Sequence, residues 1–198
     1  MNIKVDARGE ACPKPVIMTK KELDKMNEGI ITTIVDNEIA KENVSKLANS
    51  LGYEYEVDAK DEDEYHIHIT KGEVVEGISE SIKDEFKDMT IAFASDTMGE
   101  GSEELGRILI KSFIYTVTEV TPYPSTLIFY NGGVRLTCEG SEVLEDLRAL
   151  EEKGVEIISC GTCLDFFEIK EKLQVGEVSN MYTIYEKLKN PANLVTIG

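Results

Sequence analysis

The chain has no tryptophan and only two histidines, and its 21 basic residues stand against 38 acidic ones, a formal net charge of -17. This shortage of positive charge produces a long-range field that repels phosphate backbones and anionic headgroups, which argues against nucleic acid or a membrane surface as a direct partner. No uninterrupted apolar run is long enough to cross a bilayer, and no charged-then-apolar leader opens the sequence, so the expected location is the cytoplasm. Metal ligands are also scarce. A four-ligand zinc site built on the one close cysteine pair, Cys160 and Cys163, would need Cys12 or Cys138 together with His66 or His68, so no metal is expected. Four cysteines in a reducing compartment point to thiol chemistry or packing rather than to a disulfide framework.

What is present suffices for burial. A length of 198 residues with 41% hydrophobic content can form a core without cross-links, and suits two small domains. The first part reads as strand (Ile3 to Asp6), helix (from Pro13), strand (Ile30 to Val35), helix (from Lys41) and two short strands, a βαβαββ order. In the last strand Tyr65, Ile67 and Ile69 alternate with His66 and His68, which places the apolar three on the core side. The acidic stretch Asp58 to Glu64 is expected to be the hairpin connection. From Gly72 to Asp88 the pattern loosens into charge, with Ile78, Ile82 and Phe86 suggesting one helical turn within a linker.

The second part opens on an apolar strand, Ile91 to Ala94, and a loop containing Gly99 and Gly101, followed by a helix capped by Ser102. Strand and helix alternate again. Leu127 to Tyr130 and Val155 to Ser159 are expected strands, Ser141 and Ser179 expected helix caps, and Leu194 to Ile197 a closing strand, so an α/β fold with a mainly parallel sheet follows. The reactive edge of such a sheet lies at the carboxyl ends of its strands.

Two cysteine motifs carry the chemistry. In Cys12-Pro13-Lys14-Pro15, between a strand and a helix, the two prolines fall in the first helical turn, where their missing N–H groups cost little. Cys12 then sits at the helix start, where unpaired N–H groups and the helix dipole favour a thiolate, with Lys14 adding positive charge. In Cys160-Gly161-Thr162-Cys163, at a strand-to-helix junction, the spacing allows a nucleophile with a resolving thiol, a reversible disulfide or half a metal site. Cys138, beside Glu139, has surroundings that disfavour the thiolate and reads as structural. The Gly99-Glu100-Gly101 turn lacks the third glycine of a dinucleotide loop. It is expected instead to border a thiol pocket, its amides facing a bound anion.

Residues 1 to about 70, with Arg8-Gly9-Glu10-Ala11 leading into Cys12-Pro13-Lys14-Pro15, resemble the TusA (SirA-like) family. Residues 90 to 198 resemble the DsrE-like family through Ser95 to Gly101, Asn131 to Leu136, Ser159 to Asp165 and Ser179 to Tyr182. The two joined halves resemble the YedF-type selenium metabolism proteins. The resemblance implies a small two-layer TusA-like domain over 1–71, a linker over 72–88 and a DsrE-like domain over 89–198. It implies a sulfurtransferase-like carrier holding sulfur or selenium as a persulfide or selenosulfide on Cys12, with Cys160 as the matching acceptor and Cys163 as a second thiol. Pro13, Lys14, Pro15, Gly99, Gly101, Gly161 and Thr162 would support these thiols. The implied partners are a donor protein of the cysteine desulfurase kind and an acceptor protein, with no cofactor, and the assembly is expected to be a homo-oligomer. Two other functions stay open: a thiol-disulfide oxidoreductase using Cys160 and Cys163, and a non-catalytic module binding an anion or nucleotide.

Overall fold

The computed structural model describes residues 2–61, 63–72, 88–189 and 191–198. Contacts group the chain into two compact units, Met1–Gly77 and Ile78–Gly198, each with its own hydrophobic core. The linker expected over 72–88, including the turn around Ile78, Ile82 and Phe86, lies outside the described residues except for Gly72 and Asp88.

The first unit runs β1 (Asn2–Asp6), α1 (Lys14–Lys25), β2 (Gly29–Val35), α2 (Glu38–Ser50), β3 (Glu54–Asp61) and β4 (Glu64–Lys71), the expected βαβαββ order. The sheet order is β1-β2-β4-β3, with β1 parallel to β2 and the remaining pairs antiparallel. Strand alternation sends Val5, Ile31, Ile67 and Ile69 to one face, where they are buried against Leu23 of α1 and Val44 and Ala48 of α2. Complete burial of an isoleucine contributes roughly 1.5–3 kcal/mol, so Ile67 and Ile69 anchor this layer. A buried polar pair fixes α1 to β2: the Thr19 hydroxyl donates to the Pro15 carbonyl at 2.7 Å and lies 2.9 Å from the Thr33 hydroxyl. The histidines share the other face, as expected from the alternation. His66 Nε2 bonds Glu64 at 2.8 Å, and His68 Nδ1 bonds Thr32 at 2.9 Å. The hairpin connection is shorter than the composition implied, because β3 continues through Asp58 to Asp61 as an edge strand, with Asp58 and Lys60 exposed.

The second unit runs β5 (Met89–Phe93), α3 (Glu103–Glu119), β6 (Thr126–Phe129), a 3-10 helix (Asn131–Thr137), α4 (Leu144–Glu152), β7 (Glu156–Cys160), α5 (Gly161–Phe166), a short 3-10 turn (Lys170–Lys172), β8 (Glu177–Ser179), α6 (Met181–Lys189) and β9 (Asn193–Ile197). Its five strands are all parallel, in the order β8-β7-β6-β5-β9. The central strands are buried on both faces, which is why β6 is written as the continuous run Thr-Leu-Ile-Phe rather than as an alternation. Phe93 and Phe129 stack at 4.7 Å between ring centroids in the middle of this core.

Ser102 caps α3 as expected, accepting from the Leu105 N–H at 3.3 Å. The other two expected caps are displaced. Ser141 accepts the Val143 N–H in a turn ahead of α4, which starts only at Leu144. Ser179 ends β8, paired with Cys160, and the cap of α6 is Asn180, whose side chain accepts from the Thr183 N–H at 3.0 Å.

Candidate functional site

The loop that delivers Cys12 is held by its own residues. Arg8 forks onto Asp6 (2.9 and 2.6 Å) and reaches Glu64 at 2.9 Å, while the Gly9 N–H donates to Asp36 at 2.6 Å. Gly9 adopts a left-handed φ of 76°, which lets the chain turn back over the end of β2. The Arg8 guanidinium pulls the Asp6 carboxyl down to about 2, and the Gly9 N–H lowers that of Asp36.

The Cys12 thiol is exposed just ahead of α1, before a cis Cys12–Pro13 bond, and lies at the mouth of a cavity of about 240 Å³ between α1 and α2. Pro15 and Val16 form one wall, Ile39, Ala40 and Asn43 the other. The Asn43 side-chain amide donates to Cys12 Sγ at 3.9 Å. Ile39 stands 71% exposed beside the opening, an apolar contact offered to whatever approaches the sulfur.

Two parts of the expected electrostatics change. The N–H groups at the helix start are taken: that of Lys14 goes to the Ala11 carbonyl, and those of Val16 and Ile17 to the Pro13 carbonyl, while Pro13 and Pro15 have none. The Lys14 ammonium, expected to act on the thiol, forms an exposed ion pair with Glu10 at 3.1 Å. The donor aimed at the sulfur is a side chain of the second helix.

In the second unit the thiols stand where the expected reactive edge lies, at the carboxyl ends of β6 and β7. Cys160 ends β7 and precedes α5, and it is 1% exposed, whereas Cys163, one turn on, is partly exposed. The Asn131 backbone N–H, at the end of β6, donates to Cys163 Sγ at 3.1 Å. Burial pushes the Cys163 thiol above the ordinary thiol value, the neighbouring Cys160 thiol pushes the same way, and the Asn131 N–H offsets them in part. Gly161 keeps α5 against the edge strand: a Cβ there would lie 3.0 Å from Val178 Cγ1 and 3.2 Å from the Ser179 carbonyl oxygen. Thr162 is exposed on the outer side of the turn.

Other candidates separate from these thiols. Gly99 (φ 80°) and Gly101 (φ 127°) turn the loop after β5, and a Cβ at either would meet nothing within 4 Å. The close approach at this edge is made by Gly133, whose Cβ would fall 2.2 Å from the Phe93 carbonyl oxygen. Cys138 is buried and donates to the Val134 carbonyl at 3.2 Å, with burial rather than Glu139 as the main cause of its raised thiol value. It borders a larger cavity, about 360 Å³, ringed by Arg107, Lys111, Arg135 and Lys172 and lined by neither Cys160 nor Cys163. Asn43 and Asn131 are the contributors that the sequence pattern did not single out as donors. The latter follows an apolar strand and precedes two glycines, which is the available signal of a tight turn at the sheet edge.

The fold and the thiol positions define a class of protein, a two-unit α/β chain with a cysteine just ahead of a helix in each unit. Residues 3–71 match the family described as Sulfurtransferase TusA, and residues 91–197 match the DsrE/DsrF-like family. A "Putative sulfur carrier protein" of Methanocaldococcus jannaschii is 38% identical over 69 residues, covering 34% of this chain and 92% of that protein. A protein of the same description from Thermotoga maritima is 34% identical over 67 residues, covering 33% and 85%. Among solved structures, the SirA-like protein of Desulfitobacterium hafniense is 40% identical, covering 36% of this chain and 99% of that one at a TM-score of 0.35. The ychN protein of E. coli covers 56% and 99% at 16% identity and a TM-score of 0.45. The chain thus belongs to the TusA sulfurtransferase family through its first unit and to the DsrE/DsrF-like family through its second, and sulfur transfer is the general function this supports.

Proposed function

We propose that this chain is a cysteine-based carrier of sulfur or selenium, holding the atom as a persulfide or selenosulfide on Cys12 and passing it to a partner thiol. The observation that carries this reading is the exposed Cys12 sulfur at the mouth of a small cavity, met by the Asn43 amide. A transferable atom has to be reachable by two partners in turn, and an exposed sulfur allows that. Cys12 also lies within the residues matched to a sulfurtransferase family and to relatives described as sulfur carriers. The carrier domain is assigned to 1–71 and the DsrE-like domain to 89–198. Donor and acceptor are proteins, the donor of the cysteine desulfurase kind, with Ile39 as one docking contact. The cytoplasm and a homo-oligomeric state complete the reading.

Incubation of the reduced chain with a cysteine desulfurase and cysteine or selenocysteine, followed by intact mass and peptide mapping, tests it. One added chalcogen atom on Cys12, removed by excess thiol and absent from Cys12→Ser, is expected. No added atom on Cys12 would overturn the reading. A second reading, a thiol-disulfide oxidoreductase, is favoured by the placement of Cys160 at the end of β7 and Cys163 in the first turn of α5. Mild oxidation that closes this pair without any chalcogen loading of the chain would support it instead.

A further inference from the structure

The cavity of about 360 Å³ in the second unit has no part in the carrier reading, and in a chain with a net charge of -17 it gathers four cations: Arg107 and Lys111 from α3, Arg135 from the 3-10 helix after β6, and Lys172 from the short 3-10 turn. Its carboxylates, Asp96, Glu139 and Glu142, are one fewer. The chain has only four arginines, and two of them converge on one acid: Arg107 and Arg135 each stand 3.8 Å from Asp96, whose side chain is 18% exposed. That separation is longer than a hydrogen bond, so Asp96 draws the two guanidiniums together without occupying their N–H donors. The Arg135 guanidinium lies over the Phe167 ring, 4.5 Å from its centroid, and makes no side-chain hydrogen bond among the described residues. Lys172 has no ion pair among the described residues, and its backbone is pinned: the Glu139 N–H donates to the Lys172 carbonyl at 2.8 Å, and Cys138 bridges Leu173. Lys111 differs, being paired with Glu142. The Ser141 hydroxyl accepts the Val143 N–H at 3.4 Å and keeps its own proton for a further acceptor.

We propose that this cavity binds a small molecule bearing a phosphate group, held by Arg107, Arg135 and Lys172. A guanidinium presents a planar fork of donors that matches phosphate and carboxylate oxygens, and an ammonium adds a point charge. Here the donors come from three separate elements, with the Ser141 hydroxyl as a fourth. Such a set surrounds a group with three terminal oxygens better than a carboxylate, which offers two. The volume falls at the small end of the roughly 300–1,000 Å³ typical of small-molecule sites. Ile110, Leu136, Val143 and Ile169 supply the apolar part of the lining, a contact for the body that carries the phosphate. A nucleic acid is a poor occupant, because the excess of acid over the rest of the chain repels an extended polyanion. The site is independent of the carrier reading, since none of Cys12, Cys160 and Cys163 lines it.

The experiment is calorimetric titration of the full reduced chain, in phosphate-free buffer of low ionic strength, with three probes: phenyl phosphate, inorganic phosphate and benzoate. Amide chemical shifts, followed in the same titrations, locate the binding. Phenyl phosphate is expected to bind once per chain and most tightly, inorganic phosphate more weakly for want of the apolar contact, and benzoate at least about tenfold more weakly than phenyl phosphate, having lost charge-assisted hydrogen bonds. The largest shift changes are expected at Arg135, Gly140 and Ser141. Arg135→Gln and Lys172→Gln, both checked for folding by circular dichroism, should each weaken phenyl phosphate about tenfold, and Arg135→Lys should also weaken it, because the charge is kept but the fork is lost. Lys46→Gln, which removes one exposed positive charge from the first unit, should bind as the wild type does. Benzoate bound as tightly as phenyl phosphate, wild-type affinity in folded Arg135→Gln and Lys172→Gln, or no binding of any probe would overturn the site. Inorganic phosphate bound as tightly as phenyl phosphate would overturn the ester and leave the free anion as the ligand.

Discussion

The Asn131 backbone N–H meets the Cys163 sulfur at 3.1 Å, tying the end of one parallel strand to the helix that follows the next. It acts against burial and against the neighbouring Cys160 thiol, both of which hold the proton on Cys163. The thiol therefore ionises later than an ordinary cysteine, and alkylation of Cys163 should still be rising at a pH where a free thiol has levelled off. Removing the neighbouring thiol in Cys160→Ala should move the midpoint downward, toward but not below the ordinary value, since part of the desolvation remains. Iodoacetamide labelling of Cys163 followed by mass across a pH series reads both, and an unchanged midpoint in Cys160→Ala would show that the two thiols do not interact.

At Cys12 the donor is Asn43, and its 3.9 Å separation from the sulfur sets the size of the effect. A neutral hydrogen bond contributes about 0.5–1.5 kcal/mol, and one this long belongs at the lower end, so Asn43→Ala should slow chalcogen loading of Cys12 roughly twofold. Asn43→Asp places a carboxylate against the sulfur anion, and it should slow loading more than Asn43→Ala does. The time course of mass gain on the Cys12 peptide gives the comparison. Equal rates in the two variants would remove Asn43 from the site.

How much of this was legible in sequence depends on which forces act locally. Strands such as Thr126–Phe129 announce themselves because burial on both faces demands an unbroken apolar run. The three-residue β8 does not, because Glu177-Val178-Ser179 is short, mostly polar and at a sheet edge, where one neighbour strand suffices. The 3-10 helix Asn131–Thr137 depends on Gly133 resting on the Phe93 carbonyl, a contact made across two strands and invisible to any local pattern. The position of Cys12 at a strand-to-helix junction was readable from its prolines. Its donor was not, because Asn43 arrives from another helix 31 residues away, and neither was the pairing of Lys14 with Glu10.

The loop carrying Cys12 should loosen in acid. Asp6 and Asp36 have folded values below that of a free carboxyl, through Arg8 and the Gly9 N–H respectively. A lowered folded value means that the stabilisation is complete above the unfolded carboxyl range and is lost as pH falls through the folded one, so the window for Asp6 runs from 3.8 down to about 2. Both carboxyls are solvent-exposed, so the effect belongs to the loop rather than to global stability, and salt should weaken it. Carboxyl chemical shifts over this range check the values. Arg8→Ala should bring the Asp6 midpoint back toward 3.8, and a midpoint that stays near 2 would exclude Arg8 as the cause.

The sheet edge of the second unit should tolerate substitution at one glycine and not at another. In Gly133→Ala the new methyl would lie 2.2 Å from the Phe93 carbonyl oxygen and 2.8 Å from its carbon, backbone atoms of a central strand that cannot swing aside as a side-chain tip can. Overpacking of this kind costs typically about 1–3 kcal/mol, and the rigid partner puts the expected loss at or above the top of that range. Gly99 has a φ of 80° with open space around it, so Gly99→Ala meets only the strain of a left-handed backbone, about 1–2 kcal/mol. Urea unfolding of the two variants measures the difference. The Gly133 change should carry a second signature: Asn131 begins the same 3-10 segment, so displacing it removes the N–H from Cys163 and raises that thiol further. A Gly133→Ala variant as stable as Gly99→Ala, with Cys163 labelling unchanged, would mean that the segment is positioned by something other than its contact with Phe93.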